Sequence, residues 1–95
     1  MRRLRYIVAY DIADDRRRYD VSRILLGFGE RVQYSVFVCD MTDGELCDLR
    51  FGLRDVIVTT HDSVLFALIG PGYDSSVFEF LGRRRPLPRT GPQVV

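Results

Sequence analysis

The chain has no lysine: all fourteen of its basic residues are arginine, set against thirteen acids. Every cationic contact it makes through a side chain is therefore a planar guanidinium fork, suited to bidentate phosphate binding. A GC-rich coding bias would give the same usage. The net charge of +1 excludes a strong overall field drawing the protein to nucleic acid. A single histidine, His61, sits in the polar connector "HDS", where a solvated side chain is the ordinary outcome and a general base the rare one. The only cysteines, Cys39 and Cys47, stand eight apart, which is neither a zinc spacing nor a disulfide framework. No apolar run is long enough to span a membrane. The start "MRRLRYIVAYD" is broken by Arg5 and stops at Asp11, too short for a signal-peptide core. Reduced thiols and a cytosolic, membrane-free protein are the expectation. There is no internal repeat, no inter-domain linker and no glycine-rich ligand loop.

What is present is unevenly distributed. Residues 1–39 hold eight arginines and five acids, residues 40–79 two and eight, and residues 80–95 four arginines and no acid. Two basic ends flank an acidic middle. With 95 residues the chain predicts one small domain over 1–82, followed by an Arg/Pro-rich tail, 83–95, with no apolar period. Arg83, Arg84, Arg85 and Arg89 in that tail suit a salt-sensitive arm on DNA, a docking segment or a free terminus equally.

The periodicities give an order of elements. "LRYIVAYD", 4–11, alternates as a strand, and 14–28 reads as a helix with Asp14 and Asp15 at its positive end and Val21, Ile24, Leu25 and Phe28 on one face. "RVQYSVFVC", 31–39, is β-rich, with a possible sharp break near Ser35. Thr42 and Glu45 have capping-box spacing ahead of Leu46, Leu49 and Leu53, and this helix should fray near Val56. "VLFALI", 64–69, is a further strand, "GPGYD" a turn and "VFEFL", 77–81, a short fifth strand. The order is βαββαβ, an α+β ferredoxin-like arrangement with an antiparallel sheet and both helices on one face. Strands 4–11 and 64–69 are apolar on both faces, yet two helices cover only one. A second copy is the simplest cover, so a sheet-to-sheet homodimer is expected, with 77–81 lying across the partner.

"YDI" closing the first strand, an Asp and basic helix start, "RVQYSVF", a capped acidic helix and "DSV" before a strand together resemble the CRISPR-associated endoribonuclease family, the smaller of two spacer-adaptation proteins. The resemblance runs from residue 4 to about 81. It implies a homodimer whose strand-end aspartates face each other across the two-fold axis. It also implies a magnesium-dependent nuclease acting on single-stranded RNA or double-stranded DNA. In spacer acquisition such a dimer is a scaffold between two dimers of the larger integrase protein. The matching metal ligand is Asp11, with Tyr10 beside it as a second catalytic candidate; Arg18, Arg31 and Phe37 match positions linked to the family's site. Ala13 stands where many relatives carry Ser or Thr, and Asp20 where some are basic.

On their own the residues leave alternatives open. Asp11 can be a solvated strand end as readily as a Mg2+ ligand, and one carboxylate per chain is a thin site until a two-fold axis doubles it. Arg16, Arg17 and Arg18 point about 100° apart on a helix, so at most one or two of them can reach the same phosphate. The resemblance singles out Arg18, with Arg17 as the further candidate, and a surface ion pair with Asp14 or Asp15 is the alternative. Arg31 suits a backbone phosphate or a sheet-edge charge. Phe37 suits a stacked base, but core packing is the commoner fate of such a residue. Two functions of different classes fit: a metal-dependent endonuclease, and a non-catalytic scaffold for protospacer DNA.

Overall fold

The computed structural model describes residues 2–71 and 78–83. The elements follow as β1 Leu4–Asp11, α1 Asp15–Leu26, β2 Glu30–Gln33, β3 Val36–Met41, α2 Asp43–Arg54 and β4 Ser63–Pro71. They form an antiparallel four-stranded sheet in the order β2-β3-β1-β4, the expected ferredoxin-like topology.

Local chemistry explains where the helices start. Asp14 caps α1, its carboxylate accepting from the Arg17 amide at 2.9 Å. Thr42 and Glu45 close both halves of a capping box on α2, at 2.9 and 3.2 Å. The β-rich stretch does break at Tyr34–Ser35, which separate β2 from β3. β4 runs longer than expected, through Gly70 and Pro71 of the predicted turn. Gly70 adopts φ +114° beside a register shift against Arg5 and Tyr6, a conformation open chiefly to glycine.

One core holds the layers together. Tyr6, Val8 and Tyr10 of β1 and Phe37, Cys39 and Met41 of β3 face Val21 and Leu25 of α1 and Leu46, Leu49 and Leu53 of α2. The intervening residues point to the opposite face. There Arg5 and Asp40, cross-strand partners, form a buried bidentate pair at 2.8 and 3.1 Å, and the Phe78 ring lies 6.0 Å from the Arg5 guanidinium. Ile7, Ala9 and Ala67 on this face are half-buried, and Leu65 is 60% exposed. Leu68, on the helix-facing side by register, is also exposed, because β4 is an edge strand.

Of the expected fifth strand, residues 78–81 pair with no described strand of their own chain, and residue 77 lies outside the described residues. A strand needs an edge to pair with, and the expectation gave that edge to a second copy. In the connector "HDS", His61 is exposed as expected, while Asp62 is buried and Ser63 begins β4. Residues 84–95 of the expected tail lie outside the described residues.

Gly29 is required for space. A Cβ there would meet the Val38 carbonyl at 2.3 Å and the Cys39 sulfur at 2.5 Å. Gly29→Ala is therefore expected to cost about 3 kcal/mol, the upper part of the usual range for overpacking. A methyl at Gly27 would meet only one carbonyl, at 3.3 Å, with φ −77°, so Gly27→Ala should be close to neutral. Urea unfolding of the two variants checks the contrast.

Candidate nucleic-acid interface and metal ligand

Alternation along β1 separates the last two residues of the strand. Tyr10 is buried toward the helices; Asp11, opposite Ser63 of β4, is exposed on the other face. The Tyr10 hydroxyl donates to the Tyr34 carbonyl at 3.4 Å, so its polar end is directed away from Asp11. The two catalytic candidates thus stand on opposite sides of the sheet within one chain.

Among the described residues no group of three or more His, Cys, Asp or Glu side chains is placed to hold a metal ion. One chain offers Asp11 as a single hard oxygen ligand. Magnesium takes one or two carboxylates together with water and substrate phosphate, so a second copy of Asp11 would bring the donor set within its ordinary range.

Three of the sequence candidates do converge. A cleft of about 400 Å3 lies between α1 and the β2 side of the sheet. Asp15, Arg18, Tyr19, Ser22, Arg23 and Leu26 form one wall, a stripe along a single face of α1, and Tyr10, Arg31 and Tyr34 form the other. Arg18 is held in place by its own loop, donating to the Ile12 carbonyl at 2.7 Å and the Ala13 carbonyl at 3.3 Å and pairing with Asp15. Partial desolvation pulls its pKa down, but the Tyr34 phenol and Asp15 outweigh this and the net shift is upward. The guanidinium stays charged.

Arg31 rests on an aromatic floor, its Cζ 5.2 Å from the Phe37 ring centre. Its Nε is buried with no hydrogen-bond acceptor among the described residues. Phe37 itself is fully buried beneath Arg31 and 6.3 Å from the Tyr10 ring, so it has no open face for a base. Its place is in the core, supporting the cation. Arg17 turns the other way. It forms a bidentate pair with Asp62, at 2.6 and 3.1 Å, while Asp62 also accepts from the Val58 amide at 2.9 Å. A guanidinium so occupied is committed to anchoring the loop before β4 rather than to phosphate.

The residues that sequence reasoning missed are Asp62, Tyr19, Arg23 and Tyr34. The α1 stripe was open to a helical count, whereas Asp62 meets Arg17 across 45 positions and left no local signal. Cys39 is buried, which pushes its thiol up to about 12, with Asp40 adding to the shift; Cys47 is exposed. His61 is exposed, its ring nitrogen 2.9 Å from Thr60 Oγ1.

The family model for CRISPR associated protein Cas2 matches residues 4–77. The chain belongs to the Cas2 family. It is 44% identical over 61 residues to a CRISPR-associated endoribonuclease Cas2 of Synechocystis, a match covering 64% of this chain and 66% of that relative. The chain thus spans just under two thirds of that curated Cas2 protein's length. A hypothetical protein of Thermus thermophilus superposes with a TM-score of 0.78 at 38% identity, over 92% of this chain and 99% of that one. Streptococcus pyogenes Cas2, solved at pH 6.5, superposes at 0.76 and 31% identity, over 83% and 100%. No helix among the described residues of this Cas2 chain is long and apolar enough to cross a membrane.

Two outcomes follow. A thiol reagent at pH 8 should label one cysteine per folded chain, Cys47, and two after unfolding, because Cys39 is buried and protonated there. The Asp62 carboxyl is held below the ordinary range, first by its bond from Arg17 and then by the Val58 amide. A depressed carboxyl stabilises the fold above its unfolded pKa of about 3.9, and that contribution is lost as pH falls through the folded value. Asp62→Asn should therefore lower Tm near neutral pH, and the gap should close as pH falls below the ordinary carboxylate range in a Tm-versus-pH series.

Proposed function

We propose that this Cas2 chain works as a homodimeric, metal-dependent endonuclease of CRISPR adaptation, hydrolysing phosphodiester bonds of single-stranded RNA or double-stranded DNA. The observation that carries the reading is the position of Asp11: an exposed carboxylate at the end of the central strand, on the face that the helices leave open. The same face leaves Leu65 exposed beside half-buried Ile7, Ala9 and Ala67. Full burial of a leucine is worth on the order of 2 kcal/mol, so a second copy placed there gains from contact and pairs the two aspartates. The curated relative's name, an endoribonuclease, supports the chemistry.

In this reading Asp11 of each of two copies would hold Mg2+. The metal, when bound, polarises a phosphodiester and lowers the pKa of a bound water. Arg18 and Arg31 hold the nucleic-acid backbone, Arg18 fixed by the Ile12 and Ala13 carbonyls and Arg31 by the Phe37 ring. Tyr10 lines the cleft and orients Tyr34 through the backbone.

That no three or more His, Cys, Asp or Glu side chains group into a metal site among the described residues favours a second reading. There the dimer is a non-catalytic scaffold, binding protospacer DNA between two dimers of the larger integrase protein.

Labelled single-stranded RNA and double-stranded DNA, each with magnesium and with a chelator, separate the two when wild type and Asp11→Ala are compared as equally folded dimers. The nuclease reading expects magnesium-dependent cutting that drops at least a hundredfold in the variant. Cutting that is absent, or unchanged in Asp11→Ala, leaves the scaffold.

A further inference from the structure

The cleft beside α1 has a composition that a purely phosphate-binding surface does not need. Its charged residues are three arginines against one carboxylate. Arg18 is compensated by Asp15, but among the described residues Arg23 and Arg31 have no ion-pair partner. Around these cations stand two well-exposed aromatic rings, Tyr34 at 70% and Tyr19 at 58%, with Leu26 beside them. Exposed tyrosines gathered around unpaired guanidinium groups offer π-faces and phosphate donors within one site, and a volume of about 400 Å3 suits a single small ligand.

We infer that this cleft is a pocket for one unstacked nucleotide of a single strand, its phosphate held by Arg31 and Arg23 and its base stacked on Tyr34, with Tyr19 at the rim. The assignment rests on the nucleic-acid-binding reading of Arg31 and adds to it a ligand class. A duplex presents phosphates but keeps its bases stacked on each other, so it can use the arginines and not the tyrosines. A single strand uses both. The pocket opens on the helix side of the sheet, opposite to Asp11, so it selects what the dimer holds without taking part in the hydrolysis.

The floor of the pocket is fixed before anything binds. Arg31 lies on Phe37, and the Tyr10 hydroxyl bonds the carbonyl of Tyr34, which sets the turn carrying that ring. Because this bond is to the backbone, replacing the Tyr34 side chain leaves it intact, and the ring's exposure makes the change tolerable for folding.

The test is fluorescence anisotropy in chelator with a labelled oligodeoxythymidylate and a blunt DNA hairpin. It uses wild type, Tyr34→Ala, Tyr34→Phe and Arg31→Gln, each checked for an unchanged unfolding midpoint. Tyr34→Ala should weaken single-strand binding about tenfold, the loss of one stacked base, and leave the hairpin unchanged. Tyr34→Phe should restore it, and Arg31→Gln should weaken both probes. Thymidine 5′-monophosphate should compete for the single-strand site, and deoxyribose 5-phosphate should not. Equal effects of Tyr34→Ala on both probes, no effect on either, or equal competition by the sugar phosphate would overturn the pocket. A protein that binds through Tyr34 yet cuts nothing with magnesium overturns the nuclease reading and keeps this one. A protein that binds neither probe overturns both.

Discussion

The strand β1 is hydrogen-bonded along both edges, to β3 on one side and β4 on the other, and it cannot rotate about its axis. A pleated strand alternates its side chains, so this pairing fixes which residue faces which layer for its whole length. Tyr6, Val8 and Tyr10 are committed to the helices, and Arg5, Ile7, Ala9 and Asp11 to the other face. A slip of one residue would bury Asp11 under the helices and expose Tyr10. The separation of a carboxylate face from an arginine cleft is thus a consequence of the pleat.

A chain with a net charge of only +1 builds a cationic cleft by choosing which arginines to neutralise. Arg5 is occupied by Asp40, Arg16 by Asp20, Arg17 by Asp62 and Arg18 by Asp15. These pairs differ in kind. Arg16–Asp20 is on the surface and contributes little. Arg5–Asp40 is almost fully buried, where breaking a pair is costly because the remaining charge stays desolvated. The arginines left over near the cleft, Arg23 and Arg31, are the ones whose field a phosphate meets. The run Arg16–Arg18 shows the sorting within three residues: one fork to a helix neighbour, one to a loop across the fold, one into the cleft.

Much of this was legible from local pattern. The capping box at Thr42 and Glu45 depends on contacts three residues apart and formed where the spacing placed it, while Asp14, read as part of the first helix's positive end, became its cap. The break near Ser35 became the β2–β3 turn. Phe37 and Arg17 were harder. Alternation could not say whether the Phe37 face of β3 met solvent or core, and it met the core beneath Arg31. The partner of Arg17 lay in a connector that composition read as polar and open. Tyr34 stood inside the stretch that carried the family resemblance, yet only the turn brought it beside α1.

The sequence by itself determined the elements, their order and the family, because helix caps, apolar periods and the strand-end Asp11 are written in residues close to one another along the chain. Only the tertiary structure decided which arginines remain free, that Phe37 is a floor rather than a stacking ring, and that Tyr10 and Asp11 serve opposite faces. Those outcomes depend on partners drawn from distant segments, Asp62 for Arg17 and β2 for α1, and on a register that two neighbouring strands impose together.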